Sequence, residues 1–237
     1  MAHYSQQKFV SICFDNLKTN NENFKNFDVL DVGSLDINGS IKKLLNGNNY
    51  IGTDLTSGPN VDHVIGGDNL ESLNRKFNLV ITCEVFEHAE NWDKIFQSMY
   101  NVTKEDGLII FTCASKGRIE HGTLRTNPES IITDTYYLNL EKKDFDKKFN
   151  IKDMFSNYFF FYNYYSQDLY FIGGKKLKKT KIDFDEIKRK TREIKNEKKK
   201  ILLKRLIYSS IMSDKQYQNF RFLRRNFTNF IKKFFHN

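Results

Sequence analysis

Apolar residues fall along the chain in short, nearly unbroken runs separated by polar stretches. The runs at 27–33 (FDVLDVG), 50–55 (YIGTDL), 61–65 (VDHVI), 77–84 (FNLVITCE) and 107–114 (GLIIFTCA) are continuous rather than alternating, the pattern of strands covered on both faces. Ahead of them, Phe9, Ile12, Cys13 and Leu17 recur near helical spacing and predict an amphipathic helix over 5–19. Between the strands, 40–46 and 91–102 read as helices, and strand alternating with helix predicts a parallel, doubly wound α/β sheet. Two aromatic runs, 158–165 (YFFFYNYY) and 167–174 (QDLYFIGG), are joined by a very short link, so they predict an antiparallel hairpin at the sheet edge and seven strands in all.

The pattern changes after Gly173-Gly174. Residues 183–208 and 214–235 have few breakers and many long basic side chains, predicting two helices joined near SSIMSD. The expected organisation is one main domain over 1–174 followed by a basic helical extension over 175–237. Charge sharpens that division. Residues 175–237 hold 21 Lys and Arg against 6 Asp and Glu, a balance of +15, which leaves −6 for residues 1–174 out of the +9 of the whole chain. A mildly acidic front with a strongly basic end suggests an ordinary globular domain carrying a surface for an anionic partner. In the last segment Phe220, Leu223, Phe227, Phe230, Ile231, Phe234 and Phe235 recur every three or four residues, with Arg and Lys elsewhere. Such a helix suits an anionic membrane surface, the protein's own domain, or a second subunit in a homo-oligomer.

No apolar run approaches the roughly 20 residues that span a bilayer, and MAHYSQQKFV lacks the basic start and apolar stretch of a signal. A cytoplasmic protein is expected, peripheral to the inner membrane if the tail meets lipid. Cys13, Cys83 and Cys113 are far apart, without a CxxC pair or a His at zinc spacing, so neither a disulfide framework nor a metal is expected.

Candidate chemistry begins where the first strand ends, at VLDVGSLDING (29–39). In an open parallel sheet, ligands sit beyond the carboxyl ends of the strands, near the reversal of strand order. Gly33 leaves the backbone open to a nucleotide-like ligand. A dinucleotide fold would present G-x-G-x-x-G with a pyrophosphate on the next helix. Here Leu35 replaces the second glycine and Asp36 stands close to where the phosphates would lie. A carboxylate there repels a diphosphate and tolerates a cationic ligand.

These residues, with three further motifs in order, resemble the class I S-adenosylmethionine-dependent methyltransferases over roughly residues 28–115. The motifs are VLDVGS, YIGTDL ending in Asp54, GGDNLESL after the third strand, and FNLVITCEVFEHAENW at the fourth. The resemblance implies a Rossmann-like methyltransferase sheet and S-adenosyl-L-methionine as cofactor. It implies a cofactor set of Asp31, Gly33, Ser34, Asp54, Leu55, Asp68, Cys83 and Glu84. In that set the glycine turn takes the methionine part, Asp54 the ribose hydroxyls, and Asp68 the neighbourhood of the adenine. A carboxylate accepting two hydroxyl hydrogen bonds suits the ribose role. Each acid also has a plainer reading: Asp31 as a helix cap, Asp54 as a turn residue, Asp68 as the N-cap of NLESL. The chain departs from the family in lacking the second glycine of its usual G-x-G.

Methyl transfer is an in-line attack on a sulfonium methyl, and a hydroxyl acceptor needs a base for its proton. Two histidines stand at carboxyl ends of strands. His88, in CEVFEH, lies just past strand four, four residues after Glu84; His121 lies in ASKGRIEHGTLRTNP (114–128), after strand five. Gly117, Gly122 and Pro128 make that segment a loop, and it also carries Lys116, Arg118, Glu120 and Arg125. His121 and His88 are the candidate bases, with Glu120 or another acid orienting His121. Arg118 and Arg125 are candidate clamps for an acceptor bearing phosphate or carboxylate, and Tyr136, Tyr137 and Asn139 candidate contacts to a sugar. GRIEHGTLRT further resembles a segment of methyltransferases from bacterial surface-polysaccharide (capsule and O-antigen) clusters, which implies a glycan, nucleotide-sugar or phosphorylated small-molecule acceptor. An RNA methyltransferase and a non-catalytic cofactor-binding scaffold are the alternatives. Nucleic acid is disfavoured by the acidic front and by the lack of an Asn-Pro-Pro-Tyr or Asp-Pro-Pro-Tyr sequence.

Overall fold

The computed structural model describes residues 4–37, 39–45, 48–126, 135–194 and 207–235. Seven strands form one sheet: β1 (Asp28–Val32), β2 (Asn49–Asp54), β3 (His63–Val64), β4 (Phe77–Cys83), β5 (Thr103–Ala114), β6 (Asn157–Asn163) and β7 (Asp168–Gly174), in the order β3-β2-β1-β4-β5-β7-β6. The first five run parallel; β7 is antiparallel to both β5 and β6, the edge hairpin that the aromatic runs predicted. The chain travels outward through β2 and β3, then returns to lay β4 beside β1. Strand order reverses there, and a crevice opens beyond the carboxyl ends of β1 and β4.

Successive side chains on a strand point to opposite faces, so a two-sided core needs apolar residues at every position. On one face Val29, Ile81, Ile110 and Ile172 pack under Phe9, Phe14 and Leu17 of helix α1 (Tyr4–Asn20), with Phe184 and Ile187 of helix α5 (Phe184–Arg192). On the other, Leu30, Val80, Ile109 and Phe111 meet Ile95, Phe96 and Met99 of helix α2 (Trp92–Val102) and Phe145 of helix α3 (Lys142–Lys148). The surplus of aromatic residues is spent in this core: Phe111 stacks on Phe145 at 4.8 Å and on Phe171 at 4.9 Å, and Phe9 on Tyr170 at 4.8 Å.

Four elements depart from the sequence expectation. The helix expected over 40–46 is one 3-10 turn, Lys42–Leu45, because the segment is hemmed in sequence by Gly39 and Gly47 and turns just Ile41, Leu44 and Leu45 to the core. The helix expected over 183–208 begins as predicted, with the Asp183 carboxylate accepting from the backbone of Asp185 and Glu186, but α5 stops at Arg192; residues 195–206 lie outside the described residues. Helix α3 and helix α4 (Ile151–Met154) were not foreseen. The reciprocal bonds between Glu141 and Asp144 at the start of α3 form a capping box with Glu in place of the usual Ser or Thr, which hides it from pattern reading.

Helix α6 (Asp214–Phe235) docks on the main domain through its first turns. Tyr217 is fully buried and donates to the Gly117 carbonyl at 3.0 Å. Gln218 donates to the Arg118 carbonyl at 2.8 Å and accepts from the Glu120 backbone at 2.8 Å. Farther along, Phe220 meets Tyr208 with ring centroids 5.3 Å apart, while Leu223 and Phe227 are about two-thirds exposed. The side chains of Phe230, Ile231, Phe234 and Phe235 lie outside the described residues. Among the described residues no helix is long and apolar enough to cross a membrane.

Candidate functional site

The crevice beyond β1 and β4 holds about 250 Å³ of empty space, open solvent included, and is lined by Asp31, Gly33, Ser34, Leu35, Gly39, Ser40, Ile41 and Cys83. Gly33 has a left-handed φ of +79°, and a Cβ there would lie 2.2 Å from Val85 Cγ2. The glycine is therefore required by backbone shape and by the approach of the β4 turn, and a larger residue would push Val85 outward. The loop follows a path of its own in place of a second glycine: Asp36 accepts from the Gly39 backbone three residues on at 2.8 Å, and Ser34 donates to the Asn60 carbonyl at 2.9 Å.

Asp54 ends β2 half-buried. Its Oδ2 accepts from the Leu35 backbone and its Oδ1 from the Thr56 backbone, both at 3.2 Å. These bonds hold the carboxylate against Leu35, which lines the crevice, and leave each oxygen a further lone pair for a hydroxyl donor. Leu55 beside it is 76% exposed, an apolar surface without a protein partner to cover it. Asp68 is exposed and accepts from Asn91 at 2.7 Å. Cys83 is a buried thiol outside any disulfide, pushed up to about 12 by burial and then by the Asp31 charge, so it serves as wall rather than nucleophile. A glycine turn, an acid at the end of β2 and an apolar ledge fit a nucleoside with a cationic side chain.

Asp31 lies at the cavity floor, 4% exposed, and accepts from the Tyr50 hydroxyl at 2.8 Å. Burial raises its carboxyl from 3.8 to about 6, opposed by that hydrogen bond. With the folded pKa above the unfolded one, its contribution to stability is complete below 3.8 and is lost as pH rises through 6. At pH 8 the protein therefore holds a buried charge that costs up to about 3 kcal/mol. Asp31→Asn, which keeps an acceptor for Tyr50, is expected to melt about 4–10 °C above wild type at pH 8, with the gap closing by pH 4. Thermal melts at both pH values check this, and an equal gap at both would contradict it.

On the acceptor side, the turn after β4 (Phe86–His88) and the loop after β5 converge. Glu84 adopts a left-handed φ of +59°, an unfavourable conformation for a side chain of its size, while its N–H keeps the ladder bond to Thr112 at 2.9 Å. Its Oε2 lies 3.4 Å from His121 Nε2 and 3.7 Å from Arg118 Nη2. His121 Nδ1 lies 3.1 Å from the Ile119 carbonyl and 3.2 Å from the Tyr137 hydroxyl. The rings of His88, His121 and Tyr137 pack edge to face, with centroids 5.3–5.5 Å apart. Burial, reinforced by the neighbouring His121, lowers His88 to about 4, so its imidazole is neutral at pH 7.

Several expected roles are redistributed. Glu120 does not face His121: its carboxylate is held by Thr123 and Arg125, and Glu84 is the acid against the ring. Arg118 is turned inward. It lies 3.7 Å from the buried Asp168 and donates to the Ser166 carbonyl at 2.9 Å. Burial opposes its charge, yet Asp168 and Glu84 outweigh that and raise its pKa. Arg125 bonds Glu120 and Asn219 and covers the Phe222 ring. Asn139 is buried, donating to the Arg118 carbonyl and to Asp214. Tyr137 stays with His121, while Tyr136 is half-buried next to 127–134, which lie outside the described residues. Asp168 and Glu87 were missed by sequence reading. The former sits in an aromatic run that reads as edge strand, and nothing in its spacing marks it.

Residues 30–111 match the family model described as a methyltransferase domain. No curated protein sequence matched the chain. Among solved structures, a S-adenosylmethionine-dependent methyltransferase from Clostridium acetobutylicum is 13% identical, with 69% of this chain and 91% of that one covered at a TM-score of 0.46. The N-terminal domain of EvdMO1, solved in the presence of SAH and D-fucose, is 14% identical over 68% of this chain and 82% of that one, with a TM-score of 0.45. Monomeric WbdD is 15% identical over 73% and 42%, with a TM-score of 0.47. Over residues 30–111 the chain thus matches a methyltransferase domain, which takes S-adenosylmethionine as its cofactor, on a sheet with the strand order and switch-point crevice described above.

Proposed function

We propose that the protein is an O-methyltransferase acting on a sugar, nucleotide-sugar or phosphorylated small acceptor in surface-polysaccharide assembly. The observation that carries this reading is the meeting of His88, His121, Glu84 and Tyr137 at the carboxyl ends of β4 and β5, one strand from the cofactor cavity. The cofactor supplies an electrophilic methyl group. The chain's own residues hold the nucleoside at Asp54, line the methionine end with Asp31, Gly33, Ser34 and Cys83, and present two imidazoles where an acceptor hydroxyl would enter.

His121 is fixed from two sides, so an acceptor hydroxyl meets a ring whose orientation is already set; pre-organisation of this kind supplies much of the rate in positioning enzymes. Half-buried Lys116 is the loop cation offered here to an anionic acceptor, since Arg118 serves the interior and Arg125 is paired with Glu120. The glycan assignment is supported by the likeness of GRIEHGTLRT to surface-polysaccharide methyltransferases. The expected result is transfer of labelled methyl from S-adenosylmethionine to free or nucleotide-linked sugars, read by scintillation and by mass spectrometry of the product. No transfer to any hydroxyl of such a panel, with transfer to amines or carbon acids instead, would reject O-methylation.

One observation favours a second reading. Basic helix α6 is bolted to the acceptor loop by Tyr217 and Gln218, which brings Arg221, Arg224 and Arg225 to the same side of the molecule. An RNA acceptor would use that surface, and its affinity would fall steeply with salt. A neutral sugar would show no such slope.

A further inference from the structure

We propose that Glu87, His88 and His121 form a binding site for one divalent transition-metal ion of the Mn²⁺ to Zn²⁺ series. Their ligand atoms all lie within 4.8 Å of one another. An ion with ligand bonds of about 2.1 Å sets neighbouring ligand atoms roughly 3 to 3.5 Å apart, so small side-chain rotations close the shell. Two imidazoles and a carboxylate suit that borderline series better than Mg²⁺ or Ca²⁺, and three protein ligands leave positions open for an exogenous oxygen.

Three independent features point to a cation. Among the described residues, His88 Nδ1 and Glu87 Oε2 are buried without a hydrogen-bond partner, although buried polar atoms are nearly always satisfied. The other Glu87 oxygen accepts from the Ala114 backbone at 3.0 Å, which fixes the carboxylate at the end of β5. Buried acids also gather here: Glu84, Glu87 and Asp168 are buried, and the half-buried Arg118 lies 3.7 Å from both Glu84 and Asp168. A divalent ion at the histidines would place positive charge beside these acids.

The backbone is shaped to bring the ligands together. Gly122 has a φ of +67°, and a Cβ on it would come within 3.1 Å of His88 Cε1. Only glycine lets the loop after β5 pass so close to His88, and the residue before it is His121. The ion deepens the proposed function and rests on it in one respect: its open positions would take the acceptor's hydroxyl oxygen, whose acidity a bound cation raises.

The test uses the full chain after chelator treatment and dialysis. Titration with Mn²⁺, Co²⁺ and Zn²⁺ by calorimetry, with the visible absorption of bound Co²⁺, is run beside S-adenosylhomocysteine binding. On the order of one ion per chain is expected, with Co²⁺ bands that report imidazole ligation. His88→Ala, His121→Ala and Glu87→Gln should each weaken binding at least about tenfold, and the exposed His63→Ala should leave it unchanged. Unchanged melting temperature and S-adenosylhomocysteine affinity would show that each variant folds. Absence of stoichiometric binding, or equal binding by the His88→Ala/His121→Ala double variant, would overturn the site. Metal binding lost with these variants while methyl goes to something other than a hydroxyl would instead uphold the site and reject the proposed function.

Discussion

Asp54→Ala is expected to lose S-adenosylhomocysteine binding by at least about 100-fold in calorimetry. The carboxylate is held at the end of β2 by the backbone N–H groups of Leu35 and Thr56, one on each oxygen, both at 3.2 Å. Each oxygen keeps a lone pair for a ribose hydroxyl, and hydrogen bonds to a charged group contribute about 1.5–3 kcal/mol each. Two of them amount to about 3 kcal/mol or more, which is the stated factor. Because alanine also releases the two backbone donors, Asp54→Asn serves as the companion variant: it can keep one backbone bond and loses the charge, so it should fall between alanine and wild type. Equal affinity in all three proteins would place the ribose elsewhere.

Arg118→Met should destabilise the protein by about 3–5 kcal/mol, the usual cost of removing one partner from a buried ionic set. Methionine fills the volume of the stem and supplies none of the charge, which leaves Glu84 and Asp168 without the guanidinium 3.7 Å from each. For a chain of this size the loss corresponds to a melting temperature lower by about 6–20 °C. It should be accompanied by faster proteolysis in the loop after β5, since Arg118 also ties that loop to the Ser166 carbonyl at 2.9 Å. A variant melting within about 2 °C of wild type would show that the acids are solvated enough to do without it.

The sheet was legible because its runs are apolar at every position, which only two-sided burial explains, and because Gly33, Asp54 and Asp68 punctuate the carboxyl ends of its strands. What failed was local and short. A 3-10 turn at Lys42–Leu45 and a helix started by Glu141 carry too few residues for periodicity to show. On the acceptor side, the chain offered the residue types but not their partners. Arg118 reads as a surface clamp in GRIEH because nothing local reveals Asp168, fifty residues on, which burial makes a stronger partner than any loop neighbour. Glu120 reads as the partner of His121 by adjacency, whereas neighbours in a loop point apart and Glu84 arrives from another strand. The meeting of Glu87, His88 and His121 likewise needs the β4–β5 pairing and cannot be spaced along one segment.

The wedge of Val85 against Gly33 joins two halves that the chemistry treats separately. Val85 follows Glu84, whose left-handed backbone is fixed by the ladder bond to Thr112, so the side chain pressed against the Gly33 turn and the acid behind His121 are consecutive links of one stiff hinge. Selection for a new acceptor therefore cannot reposition that acid without reshaping the cofactor's berth. Diversification is steered toward the outer loops, where side chains can change while the hinge stays fixed.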